Sequence, residues 1–287
     1  MMPPHLVPPH LLPGYVAFRY FLHNVTRADD DASQTPVLRF GADNVLTVRV
    51  DALSVQEGWF YEGGGIYRHV SLTVADPLYI EPWGVYLPSA VTGTVTSGPL
   101  GAEGPQTAAS ASVMPQTDVK NAGGVAQTFT LTSEVHDPAG MLVGAANSSV
   151  TLPPGGNKRF FQEVMLSGTV QLWNTAPRPP MYTVRSTLWV DGTAVDAVVT
   201  TIGIRSAVWT PTAGFQLNGL KTPVQGFSNH QSWSGCGNAV PERVSRQTVF
   251  WLRSLMHACT HAHMLETLHT YITFPYLNFP PVLDFLC

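Results

Sequence analysis

Apolar and polar residues alternate in short runs along most of the chain, the pattern of strands with one face in a core and one in water. In residues 44–51, Leu46, Val48 and Val50 fall on one face while Thr47 and Arg49 fall on the other. Val70, Leu72 and Val74 repeat the period, with Ser71 and Thr73 outward. Further on, Phe129, Leu131 and Val135 alternate with Thr130, Thr132 and Glu134, and Tyr182, Val184, Leu188 and Val190 form another such run. Turn chemistry separates the runs at Asp137-Pro-Ala-Gly140, at Pro153-Pro-Gly-Gly156 and in the Pro-rich stretch 177–180. Residues 214–219, Gly-Phe-Gln-Leu-Asn-Gly, predict a short hairpin with Asn218-Gly219 at its turn. Pro241 and Glu242 suit the first turn of a helix whose buried face would carry Val244, Thr248, Leu252 and Leu255. Beyond about His257 the periodicity ends.

This pattern predicts a mainly β chain in four parts. A first β segment runs to about residue 87. Residues 88–110, rich in Gly, Ser, Thr, Ala and Pro with little to bury, predict a linker or long surface loop. Several short strands within 111–207 predict a small antiparallel sandwich. From Val208 to Cys287 the character changes.

Composition narrows the classes. Charged residues are 12% of the chain, and 25 Gly with 24 Pro suit many turns better than a helical bundle. A net charge of −4 gives no footprint for nucleic acid. Three cysteines, Cys236, Cys259 and Cys287, form neither a disulfide framework nor a zinc pattern. No run of 18 apolar residues predicts a membrane span, and the first residues, interrupted by prolines, do not read as a signal peptide. Asn24 and Asn147 open glycosylation tripeptides, a pattern common by chance.

Two stretches carry a family resemblance. Residues 57–70, Glu-Gly-Trp-Phe-Tyr-Glu-Gly-Gly-Gly-Ile-Tyr-Arg-His-Val, follow the strand 44–51. They resemble the end of the sugar-binding jelly roll of glycoside hydrolase family 2, with Gly-Ile-Tyr-Arg as the specific marker. Residues 214–219, then Gly226-Phe-Ser-Asn-His-Gln231 and Gly235-Cys-Gly-Asn-Ala-Val-Pro-Glu-Arg-Val244, resemble the opening of that family's catalytic barrel. Between them, Leu172-Trp173, Tyr182, Asp191-Gly192, Asp196 and Gly203-Ile-Arg205 are similar to its immunoglobulin-like middle domain. The resemblance covers about residues 14–256 in the family's domain order. It implies a partial jelly-roll sandwich over 1–87, an immunoglobulin-like sandwich over 111–207 and the incomplete start of a (β/α)₈ barrel over 208–287.

It also implies a retaining glycosidase acting on O-glycosyl bonds, most similar to β-galactosidases, with terminal β-glycosides as partners and no cofactor or metal. Such chemistry needs two carboxylates about 5 Å apart, one protonated acid and one ionised nucleophile. A barrel of this type takes about 250 residues, far more than the stretch from Val208 to Cys287 supplies. The carboxylates there are Glu242, Glu266 and Asp284. Glu242 falls at a helix start, where a carboxylate complements the dipole, and the other two lie where the resemblance has lapsed. No catalytic residue is therefore assigned, and the chain is expected to be a catalytically incomplete fragment.

His230 is the substrate-binding candidate, with Asn229 as a companion. The resemblance puts a sugar-lining histidine at this position, where the first barrel strand ends; the plainer reading is a loop histidine bonded locally. His257, His261 and His263 invite a metal, but no carboxylate accompanies them. Trp59, Phe60, Tyr61, Trp83 and Tyr86 could stack on sugars; filling a sandwich core is the default for strand aromatics. Arg68 reads as a structural clamp, and Gly63-Gly64-Gly65 as a bend rather than a phosphate cradle. Three readings stay open: a competent glycosidase, a non-catalytic sandwich that binds carbohydrate or a partner, and a fragment without independent activity.

Overall fold

The computed structural model describes residues 43, 65–66, 69–71, 73–98, 104–224, 233, 237 and 239–251. One compact unit runs from Val70 to Asn229, and the second joins the residues on either side of it. The first unit holds a β-sandwich. One layer is a four-stranded antiparallel sheet in the order β11-β10-β6-β7, made of β6 (Gln127–His136), β7 (Leu142–Leu152), β10 (Tyr182–Val190) and β11 (Thr193–Ile202).

The opposite layer is built from three lanes, each interrupted once. β1 (Leu78–Tyr86) pairs with β5 (Gln116–Asn121), which pairs with β8 (Asn157–Phe161). Beyond the interruption, β2 (Ser89–Val91) and β3 (Val95–Ser97) pair with one edge of β4 (Gln106–Val113), and β9 (Val164–Gln171) pairs with the other. Proline explains two of the breaks, because Pro88 and Pro115 have no N–H to give to a ladder. Their carbonyls still accept, from Met114 N–H at 2.8 Å and Gln162 N–H at 2.9 Å, so the lanes stay joined across the break.

The predicted inward residues form the core. Leu131 lies opposite Leu188, Ser133 opposite Ser186 and Val135 opposite Val184, and all six are fully buried. The four apolar ones belong to two apolar clusters. Leu78, Ile80, Val119, Phe129, Leu131, Leu152, Phe160 and Leu188 form one. The other gathers Val113, Val135, Val164, Leu166, Leu172, Tyr182, Val184 and Ile204 around Ala108 and Ala111. Each such Val, Leu or Phe contributes about 1.5–3 kcal/mol by leaving water. Between the clusters sits a polar joint. Ser133 Oγ donates to Gln162 Oε1 at 2.7 Å, while Gln162 Nε2 donates to the Leu131 carbonyl at 3.2 Å and Ser148 Oγ at 3.1 Å. Gln162 stands where the β8–β9 lane is interrupted, and its side-chain amide reaches across to β6 and β7 of the other layer.

The predicted turns form. Asp137 Oδ1 accepts from Ala139 and Met141 N–H, and Gly140 takes the positive φ of 85° that the turn demands. At the second turn Gly156 N–H donates to the Pro153 carbonyl, with Gly155 at φ 68°.

Three expectations need correction. Residues 88–110, expected as a linker or long loop, hold β2, β3 and the first part of β4. The small residues that suggested a loop are what let the layers approach: Ala108 and Ala111 are buried between sheets, and low apolar mass does not mean low burial. The boundary at 87 also moves, because β1 hydrogen-bonds β5 within the sandwich, and Ile80 N–H donates to Asp196 Oδ2 on β11 at 2.8 Å across the layers. The strand expected at Val70–Val74 is not formed in its described residues, and Val70 and Val74 are exposed; alternation alone supplies no ladder partner. The strand expected at 44–51 lies outside the described residues.

Candidate functional site

Before the candidates Asn229 and His230 in sequence comes a three-stranded element formed by β12 (Ala207–Thr210), β13 (Gly214–Leu217) and β14 (Leu220–Lys221). The predicted turn is present. Asn218 and Gly219 both take positive φ, 51° and 81°, the two left-handed residues a tight hairpin requires. Trp209 and Phe215 face each other across β12 and β13 with ring centroids 4.9 Å apart.

Asn218 does more than turn the chain. Its Nδ2 donates to Gln106 Oε1 at 2.7 Å and to the Trp173 carbonyl at 2.9 Å, and its Oδ1 accepts Ser206 N–H at 2.9 Å. The hairpin expected as the opening of a separate barrel is thus bolted to the sandwich, and both lie in the same compact unit. Beside it, the Arg205 guanidinium stacks 4.8 Å from the Trp173 ring. Gly203 packs so tightly on that ring that a Cβ there would come within 2.4 Å of it. Of the residues that carried the resemblance in this stretch, Trp173, Gly203 and Arg205 form a joint at one end and Asp196 another at the β1–β11 contact, while Tyr182 lies in the core. The Tyr182 phenol is raised above its ordinary pKa by burial, and its oxygen accepts Gln171 N–H at 2.9 Å.

His230 and Asn229 lie outside the described residues, as do Arg68, His257, His261, His263, Glu266 and Asp284. In the second unit, Trp233 and Gly237 exchange two backbone hydrogen bonds of 3.0 Å, and a helix spans 242–251. The Pro241 carbonyl accepts from Val244 and Ser245 N–H at the helix start. Val244 and Thr248 form its half-buried face, as the spacing predicted; Leu252 and Leu255 lie outside the described residues.

Glu242 is exposed and accepts two bonds from Arg246 one turn later, at 3.0 and 2.6 Å. That hydrogen-bonded guanidinium holds its carboxyl below the ordinary range, the opposite of what a general acid requires. Asp118 is similar: Arg159 grips it through two bonds of 2.7 and 2.6 Å and lowers its pKa. Both carboxylates are thereby committed to ion pairs.

The default placing of strand aromatics in the core fails for Trp83 and Tyr86, which are 75% and 65% exposed. The pairing of β1 with β5 slips between Ile80 and Val85, and Trp83 sits in that slip at φ 60°. Counting by twos from Leu78 puts Trp83 outward but Tyr86 inward, and the slip after Ile80 is what turns Tyr86 out. Trp59, Phe60 and Tyr61 lie outside the described residues. Sequence reasoning passed over Trp189, which is half-exposed on the outer face of β10 and lines a shallow trough of about 510 Å³. Its signal was present: counting from the inward Tyr182, Val184 and Leu188, residue 189 falls outward.

Residues 103–205 match the family model for glycosyl hydrolases family 2. A β-galactosidase, BoGH2A, of Bacteroides ovatus is 28% identical over 230 residues, covering 80% of this chain and 24% of that protein. A β-glucuronidase of Formosa agariphila is 28% identical over 233 residues, covering 76% and 22%. Among solved structures, a glycosyl hydrolase family 2 member from Bacteroides cellulosilyticus superposes with a TM-score of 0.57 at 26% identity, covering 68% of this chain and 24% of that one. The chain thus spans about a quarter of the length of these relatives.

Proposed function

From a chain that is related to glycosyl hydrolases family 2, with residues 103–205 as its matched sandwich, we propose a role in cleaving O-glycosyl bonds of terminal β-glycosides. β-Galactosides and β-glucuronides are the substrate classes named in its relatives. The sandwich is the accessory domain, the residues before β1 belong to a sugar-binding jelly roll, and residues beyond the bolted hairpin open a (β/α)₈ barrel. His230, at the end of the first barrel strand, donates or accepts at a sugar hydroxyl, and Asn229 supports it. Bond cleavage is the work of an acid and a nucleophile about 5 Å apart. Glu242 and Asp118, ionised and tied to arginines, do not supply that pair.

The observation that carries this reading is the family match over the sandwich together with the hairpin that follows it. Its test is release of 4-nitrophenol from aryl β-galactoside and aryl β-glucuronide by protein bearing this sequence. Calorimetric binding of galactose and glucuronate to the same protein is measured alongside. His230→Ala is expected to weaken sugar binding about tenfold or more, the worth of one or two hydrogen bonds to a sugar. Sugar affinity and turnover both unchanged in that variant would remove His230 from the site.

A further inference from the structure

We propose that the trough beside Trp189, on the outer face of the four-stranded sheet, binds a neutral oligosaccharide by stacking a pyranose ring on the indole. The trough is lined by Thr128, Thr130, Thr132, Asn147, Trp189 and Asp191. These residues come from β6, β7, β10 and the turn after β10, so the proposal does not involve His230 and does not rest on the barrel reading.

Strand register builds it. Trp189 lies opposite Thr130 and next to the pair Thr130–Ser149, while Thr132 faces Asn147 one step along. Between Leu188 and Trp189 the pairing with β11 slips by one residue, and Asp191 and Gly192 then reverse the chain at positive φ. A bulge followed by a tight turn holds the indole and the carboxylate at the same end of the sheet.

The hydrogen-bond inventory shows which groups remain available. Thr128 and Thr151 bond each other at 2.7 Å, and Thr130 and Ser149 at 2.8 Å. The side chains of Thr132, Asn147 and Asp191 and the indole N–H of Trp189 have no hydrogen-bond partner among the described residues. A flat aromatic face ringed by a hydroxyl, an amide, a carboxylate and an N–H matches a pyranose. The sugar's C–H face covers the indole, and its hydroxyls donate to Asp191 and exchange bonds with Asn147 and Thr132.

Charge selects among sugars. The lining holds one carboxylate and no Lys, Arg or His, so a uronate or phosphate would meet repulsion with nothing to offset it. The trough is open and shallow on a sheet surface, a shape that receives the side of an oligosaccharide rather than enclosing its terminal sugar.

The test is titration of the whole chain with β-1,4-galactotetraose, by calorimetry and by ligand-observed NMR, against an oligogalacturonide of equal length. The neutral tetraose should bind, and the acidic one at least about tenfold more weakly. Trp189→Ala should weaken the neutral sugar by about tenfold or more, and Asn147→Ala and Asp191→Asn by a smaller factor of about three to ten. Trp189→Phe, which keeps a ring, should retain most of the affinity and so separates lost stacking from lost folding. His230→Ala should leave this binding unchanged, so the two readings fail separately. No binding of the neutral tetraose at millimolar concentration would overturn the proposal. So would equal binding of the acidic sugar, or wild-type affinity in Trp189→Ala.

Discussion

Strands β6 and β10 carry two different chemistries on their opposite faces. Inward, Leu131, Ser133 and Val135 meet Leu188, Ser186 and Val184, every one of them buried. Outward, Thr128, Thr130 and Thr132 run beside Asn147, Ser149 and Thr151, with Trp189 at the edge. Thr128, Thr130, Ser149 and Thr151 are consumed in cross-strand hydroxyl pairs, and Thr132, Asn147 and Trp189 are not. One backbone therefore serves packing on one side and presents recognition chemistry on the other. The two faces should differ in what their mutation does: inner changes act on stability and outer ones on surface contacts.

The largest expected effect lies inside. Leu131→Ala should cost about 2–5 kcal/mol, since Leu131 is fully enclosed and a cavity would remain. Its neighbour Thr130→Ala, one residue away on the other face, should cost about 0.5 kcal/mol or less. Urea unfolding of both variants measures the contrast, and equal midpoints would break it.

A smaller effect belongs to Gln162, a polar side chain that crosses the inner face. Gln162→Leu should cost about 1–3 kcal/mol, because Ser133 Oγ and the Leu131 carbonyl would each lose a buried partner. A midpoint at or above wild type would show that the apolar clusters merge freely when the amide is gone.

The smallest effect is at the surface of the second layer and depends on pH. Arg159 lowers the Asp118 carboxyl. The stability contributed by that pair is therefore complete above the ordinary carboxylate pKa of 3.8 and fades as pH falls through the lower folded value. Asp118→Asn should flatten the acid limb of a melting-temperature profile below about pH 4 while leaving the neutral range within about 1 kcal/mol. An unchanged acid limb would show that solvent already screens the pair.

Much of the sandwich was legible in the chain. Alternation assigned the inward faces of β6 and β10, and turn chemistry set the bends at Asp137–Gly140, Pro153–Gly156 and Asn218–Gly219. The errors have particular causes. Residues 88–110 looked like a linker because Ala and Ser carry little apolar area, yet small side chains are what close contact between layers needs. Trp83 and Tyr86 are expected in the core because strand aromatics usually fill one, and the slip between Ile80 and Val85 that turns Tyr86 outward leaves no mark in the sequence.

The chain by itself determined periodicity, turn residues and a family resemblance, all of which are local or read along the sequence. Tertiary structure alone decided the joints: Asn218 on Gln106, Asp196 on β1, Arg205 over Trp173, and Gln162 between the two apolar clusters. Those contacts join residues far apart in sequence, so no window along the chain contains both partners. The trough at Trp189 is of the same kind, since its lining comes from separate strands and exists only once their register is set.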